Sequence, residues 1–143
     1  MSRATLEALV KLQMEALNHH DPAALAEQHA LNGIVESPMF ATLRGRKAIE
    51  QSYRTFLTAF PDVKFVLDTA VIDEPRVAIF LKFNATHAGE FYGLPGTHKH
   101  IHVTMARLRT TSESGLIAHE RRIYDFTGML VQTGVLRAKP AKV

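Results

Sequence analysis

A chain of 143 residues with 46% hydrophobic and 22% charged residues is long enough for one globular domain with its own core. A net charge of +3, part of it in Arg137, Lys139 and Lys142, is too small to imply a nucleic-acid partner, and no basic run interleaves with aromatics. The absence of cysteine excludes disulfides, thiolate nucleophiles and thiolate metal sites.

Leu6, Leu9, Val10, Met14 and Leu17 recur at helical spacing and predict an amphipathic helix over about residues 3–19. His19-His20 reads as its C-terminus, where imidazolium suits the dipole. Asp21-Pro22 supplies an N-cap and a first-turn proline, opening a short helix through Ala30. Ile34 to Ser37 is a brief strand stopped by Pro38. A third helix follows Gly45, with Ile49, Tyr53, Phe56, Leu57 and Phe60 on one face, and ends before Pro61.

The period then changes to two. Val63, Phe65, Leu67 and Val71 alternate with more polar neighbours, as do Val77, Ile79, Leu81 and Phe83 beyond a hairpin turn at 73–76. Ile101, Val103, Met105 and Arg107 form a third alternating set, and Leu116 to Asp125 returns as the last strand after a polar turn. A short apolar helix ends at Gly134. Helices first and antiparallel strands after predict an α+β domain with helices on one sheet face, residues 1–143 forming one domain and 137–143 a flexible tail. The N-terminus lacks the pattern of a secretion leader, and no run of about eighteen apolar residues occurs, so a cytoplasmic protein without membrane contact is expected.

Asp125, at the end of a mostly apolar strand, is a candidate proton carrier, because burial raises a carboxyl pKa. Its plainer role is to cap the helix that follows. Alternation puts Arg121, Ile123 and Asp125 on one strand face and Glu120, Arg122 and Tyr124 on the other. If Asp125 points inward, so does Arg121, ~13 Å away along the strand. Arg121 would there favour ligands with a carboxylate or polarised carbonyl. His98, His100 and His102 share a strand face with no acid in phase, and the opposite phase is the apolar one. They are expected to face outward, with no metal bound.

One stretch carries a family resemblance: Ala85-Thr86-His87, Gly89, Gly93 and Pro95, then Ile117, Asp125 and Gln132-Thr133-Gly134. It resembles the signature of SnoaL-like polyketide cyclases, within the wider superfamily of nuclear transport factor, scytalone dehydratase and ketosteroid isomerase relatives. The family pattern is G-T-H-x-G-x-x-x-G-x-P-P-T-G, then I-x-x-x-W-x-x-x-D and a helix ending Q-x-G. Weaker similarity runs through Asn18-His19-His20-Asp21, Leu43 to Ile49 and Phe60-Pro61-Asp62. This chain departs at Pro95-Gly96-Thr97-His98, where relatives read Pro-Pro-Thr-Gly, and at Arg121, where they place Trp.

The resemblance implies a curved antiparallel sheet wrapped around the N-terminal helices to form a cone whose open end is a ligand pocket. It implies a small cofactor-independent cyclase, isomerase or lyase acting on a hydrophobic, oxygenated, polyketide-like molecule. Asp125 and His87 would be the catalytic pair, and Arg121, Met14, Phe40, Tyr53, Phe56, Phe83, Phe91 and Met105 would contact substrate. The rival reading is a non-catalytic small-molecule-binding or assembly domain of the same fold. A homodimer is expected through the outer sheet face, with His100, His102, Arg122 and Tyr124 at the contact.

Overall fold

The computed structural model describes residues 1–139; the last four residues of the expected tail lie outside the described residues. Ser2, whose hydroxyl accepts from the Thr5 amide at 3.2 Å, caps helix α1 (Arg3–His19). The helical spacing read from the sequence is the buried face of α1: Leu6, Val10, Gln13, Met14 and Leu17. His20 ends the helix in the left-handed region and holds the Val63 carbonyl at 2.6 Å. Asn18 bonds both the amide and the carbonyl of Phe65, at 2.8 and 2.9 Å. These polar contacts fasten the end of α1 to the start of a strand.

Helix α2 (Pro22–Glu27) is capped by Asp21 and is shorter than expected. The chain leaves it directly into β1 (His29–Ser37), which is longer than expected, and then forms β2 (Ala41–Arg44), an element the sequence pattern does not announce. Helix α3 (Arg46–Ala59) is followed by β3 (Lys64–Asp73), β4 (Arg76–Thr86), β5 (His100–Thr111), β6 (Ile117–Tyr124) and helix α4 (Phe126–Thr133). The six strands make one curved, unclosed sheet in the order β2-β1-β6-β5-β4-β3. The sheet is not wholly antiparallel, because β1 runs parallel to β6. The turn after β1 sends β2 and then α3 back across the sheet, leaving the other edge of β1 open to the last strand.

Apolar residues from α1, α3, α4 and the inner sheet face form the core, including Phe60, Phe83, Ile79, Leu81, Ile101 and Met129. Two latches hold the far end. Gln132 bonds both backbone groups of His102, at 2.7 and 3.0 Å, and Gly134 closes α4 at φ 87°. Gly89 presses the 87–99 turn against α3 so closely that a Cβ there would stand 2.1 Å from the Thr58 carbonyl oxygen. Among the described residues no helix is long and apolar enough to cross a membrane.

Candidate functional site

Helix α3 turns Ser52, Tyr53 and Phe56 toward the inner sheet face, one helical turn covering the cone. Phe65, Phe83 and Met105 come from β3, β4 and β5, and Ser37, Met39 and Phe40 from the end of β1 and its turn. Together they wall a narrow cavity of about 30 Å³, apolar except at one end. Phe56 and Phe83 meet edge to face at 5.6 Å, and Phe65 lies 5.4 Å from Phe83. The polar end is made by Arg107, Arg122 and Tyr124 with the Tyr53 hydroxyl.

These arginines belong to a buried charge cluster. Along β5, Arg107 and Arg109 continue inward in phase with Val103 and Met105; along β6, Glu120 and Arg122 do the same. Registry sets Arg107 opposite Arg122 and Arg109 opposite Glu120. Glu120 accepts from Arg109 Nη2 through Oε1 and from Arg122 Nε through Oε2, both at 2.8 Å. Arg107 Nη1 reaches only to 3.8 Å of that carboxylate. It donates instead to the Tyr53 hydroxyl at 3.3 Å and, through Nε, to Met105 sulfur at 3.2 Å. Arg122 Nη2 donates to the same hydroxyl at 2.8 Å. Two guanidiniums therefore converge on one neutral oxygen.

Burial alone would push Glu120 toward its neutral form, but Arg122, Arg109 and Arg107 hold it well below the usual carboxylate range. His29, 1% exposed beside the cluster, is driven by burial down to about 4, so it is neutral at physiological pH. The balance is three buried cations against one buried anion. Arg109 Nε and Nη1 are buried donors without a hydrogen-bond partner, a further sign that acceptors are short here, and His29 Nδ1 is buried and unpaired as well. Burying an ion costs several kcal/mol, so an unbalanced cluster weighs on stability.

The predicted substrate-contact residues divide into three groups. Phe40, Tyr53, Phe56, Phe83 and Met105 line the cavity. Phe91 lies outside it, on a groove of about 520 Å³ that Phe40 also borders, and Met14 faces a separate groove between α1 and β3. Arg121 does not enter the cone: it lies on the outer face, 3.7 Å from the exposed carboxylate of Glu36. The strand phase is thus the reverse of the one that would send Asp125 and Arg121 inward. Arg122 and Tyr124, expected at a dimer contact, are inside because their side chains face α3. His100 and His102 are exposed.

Asp125 is exposed at the N-terminus of α4, where its Oδ1 accepts from the Gly128 amide at 2.8 Å. Of its chain neighbours, Tyr124 lines the cavity, and Phe126 packs on both Tyr124 and Tyr92. His87 is fully buried between Phe60 and Phe91, and its Nδ1 pairs with the Thr97 hydroxyl at 2.9 Å. Burial lowers its pKa and keeps it neutral. Thr97 in turn donates to the Thr133 carbonyl, so His87 braces the turn that docks α4. Among the described residues, no group of His, Asp and Glu is arranged to hold a metal ion.

Arg107, Arg109, Glu120 and Arg122 form a buried cluster that the sequence reading does not bring together, placing Arg122 instead at a dimer contact. The signal for them is the uninterrupted alternation of Ile101, Val103 and Met105 into Arg107 and Arg109.

A curved, unclosed mixed sheet with four helices and an apolar interior is the nuclear transport factor-like fold. Within it, residues 7–133 match the family model described as SnoaL-like polyketide cyclase, and the chain belongs to that family. No curated protein matches the chain in sequence. Among solved structures, AclR from Streptomyces galilaeus, provisionally described as a hydroxylase, superposes with a TM-score of 0.84 at 22% identity, covering 97% of this chain and 87% of its own. IdmH from Streptomyces antibioticus, provisionally described as a polyketide cyclase, gives 0.75 at 24% identity over 90% of this chain and 97% of its own. SalBIII, an epoxide hydrolase/cyclase-like enzyme with a role in pyran ring formation in the polyether salinomycin, gives 0.72 at 19% identity, covering 85% and 91%. At these identities the likeness is one of fold.

Proposed function

We propose that the chain is a cofactor-independent cyclase or isomerase acting on a hydrophobic, oxygenated, polyketide-like small molecule held in the cone. The observation that carries this reading is the cavity: aromatic and thioether walls ending in two guanidiniums and a phenol. Removal of a proton beside a carbonyl moves negative charge onto the carbonyl oxygen. Donors already aimed at that oxygen in a dry site stabilise the charge as it develops. Asp125, next in sequence to the cavity-lining Tyr124, is the proton acceptor in this reading, its Oδ2 not being used by the bond to Gly128. His87 acts as a positioning residue that holds the turn against α4.

Asp125→Asn tests this cleanly, because Asn caps a helix as well as Asp but takes no proton. Against a panel of polyketide-like keto esters, the variant should lose about a hundredfold in kcat with an unchanged Tm. Equal turnover by both proteins would remove Asp125 from the chemistry. The second reading, a non-catalytic binding domain, is favoured by one observation: among the described residues no carboxylate lines the cavity, and that of Asp125 already serves α4. Absence of turnover by the wild type on every member of the panel would support it.

The same proposal includes a homodimer through the outer sheet face, where Val71, Phe80, Leu108 and Ile123 are exposed together. Light scattering at micromolar protein should return twice the chain mass of 15.9 kDa; a monomer alone would remove the dimer.

A further inference from the structure

We propose that the cone is a receptor for a hydrophobic carboxylate, whose anionic head sits between Arg107, Arg122 and the Tyr53 hydroxyl. The inference takes its place from the cavity of the proposed function but is independent of any proton transfer at Asp125. It begins with charge. Three guanidiniums are buried against one carboxylate, and neither oxygen of Glu120 is free, because Arg109 and Arg122 occupy one each at 2.8 Å. Arg107 is the least compensated cation: it stands 3.8 Å from Glu120 and makes no hydrogen bond to it. Its partners are a neutral hydroxyl and a thioether, and the residue opposite it in the sheet is another arginine. Like charges set opposite one another oppose folding, and the 3.8 Å approach to Glu120 offsets this only in part.

Geometry then says what would compensate it. Arg107, Arg122 and Tyr53 all line the cavity, and the Tyr53 oxygen already accepts from both arginines, leaving its own hydrogen to donate. Guanidinium and phenol donors meeting at one point suit an anionic oxygen pair, which guanidinium binds in a planar, two-point fashion. The size of the inner space agrees. About 30 Å³ is room on the scale of a small head group such as a carboxylate. The rest of the ligand would extend past Phe40, the residue shared by the inner cavity and the outer groove of about 520 Å³, where Tyr92 offers exposed aromatic surface. A small charged head and a larger apolar body follow from the two volumes.

The test compares 4-phenylbutanoate with 4-phenylbutanamide by calorimetry on the whole protein. The two probes share shape and differ in charge. Wild-type protein should bind the carboxylate at least tenfold more tightly than the amide, since charge-assisted hydrogen bonds to guanidinium are the stronger kind. Arg107→Met should bring the ratio close to one. This variant is expected to fold, because Glu120 keeps both of its 2.8 Å partners, and its Tm should equal or exceed that of the wild type. Equal binding of acid and amide by the wild type would overturn the proposal. So would an unchanged ratio in the folded Arg107→Met protein, or no saturable binding of either probe up to millimolar concentration. None of these results depends on turnover, so failure here is distinguishable from failure of the Asp125 experiment.

Discussion

The two faces of β6 carry the same kinds of side chain under opposite conditions. On the outer face Arg121 lies 3.7 Å from Glu36, both about half exposed, and His119 holds the same carboxylate at 2.8 Å. On the inner face, one residue along, Arg122 meets Glu120 at 2.8 Å with 7% and 0% of their side chains exposed. Water screens the outer group, and pairs of that kind are worth about 0–1 kcal/mol. The inner group is deprived of water, so each charge there must be answered by another charge or by a ligand. Position on the pleat, and not residue type, separates a solvated surface from a buried charge cluster.

Removing one charge from each face should therefore give very different results. Glu120→Gln leaves three buried guanidiniums without an anion and should cost about 3–5 kcal/mol, or prevent folding, by urea denaturation. Arg121→Ala should change the same midpoint by less than about 1 kcal/mol. Similar losses from the two variants would mean that the inner cluster is solvated.

Acid should expose the inner face next. The fold holds His29 neutral down to about pH 4, whereas an unfolded chain protonates the same ring near 6.5. The unfolded state therefore binds more protons in that window, and stability falls as pH drops from 6.5 towards 4, by up to about 3 kcal/mol. Glu120, held well below its ordinary range, loses its own contribution only at lower pH. Urea midpoints at pH 7 and pH 5 should differ more for the wild type than for His29→Leu. Equal differences would show that His29 takes up its proton inside the fold.

The smallest effect concerns the end of the strand, where β6 hands over to α4. Asp125→Ala removes the bond to Gly128 and should lower stability by about 1 kcal/mol, while Asp125→Asn should leave it within a few tenths. If Asn destabilised as much as Ala, the charge of Asp125 and not its hydrogen bond would be what α4 requires.

Much of the fold is legible because its elements obey simple periods. The helical spacing of Leu6 to Leu17 is the buried face of α1, and the alternation from Val77 to Phe83 is the inward phase of β4. The motif residues are legible for a different reason: Gln132, Thr133 and Gly134 are constrained as latches between α4 and its surroundings. Residues 29–44 resist such reading. β2 has only four residues, too few for a period, and the parallel contact of β1 with β6 joins segments far apart in sequence. β6 is harder still, since both of its faces carry charge and hydropathy cannot choose the inner one. The choice comes from β5, whose apolar phase runs directly into Arg107 and Arg109 and obliges Glu120 and Arg122 to face the same way.

A crystal structure of the protein soaked with 4-phenylbutanoate decides whether the inner face is the binding site. The carboxylate should lie within hydrogen-bond distance of Arg107, Arg122 and the Tyr53 hydroxyl, with the phenyl ring beyond Phe40. Electron density for the ligand only at surface cations such as Arg121, with the cone unchanged, would contradict it.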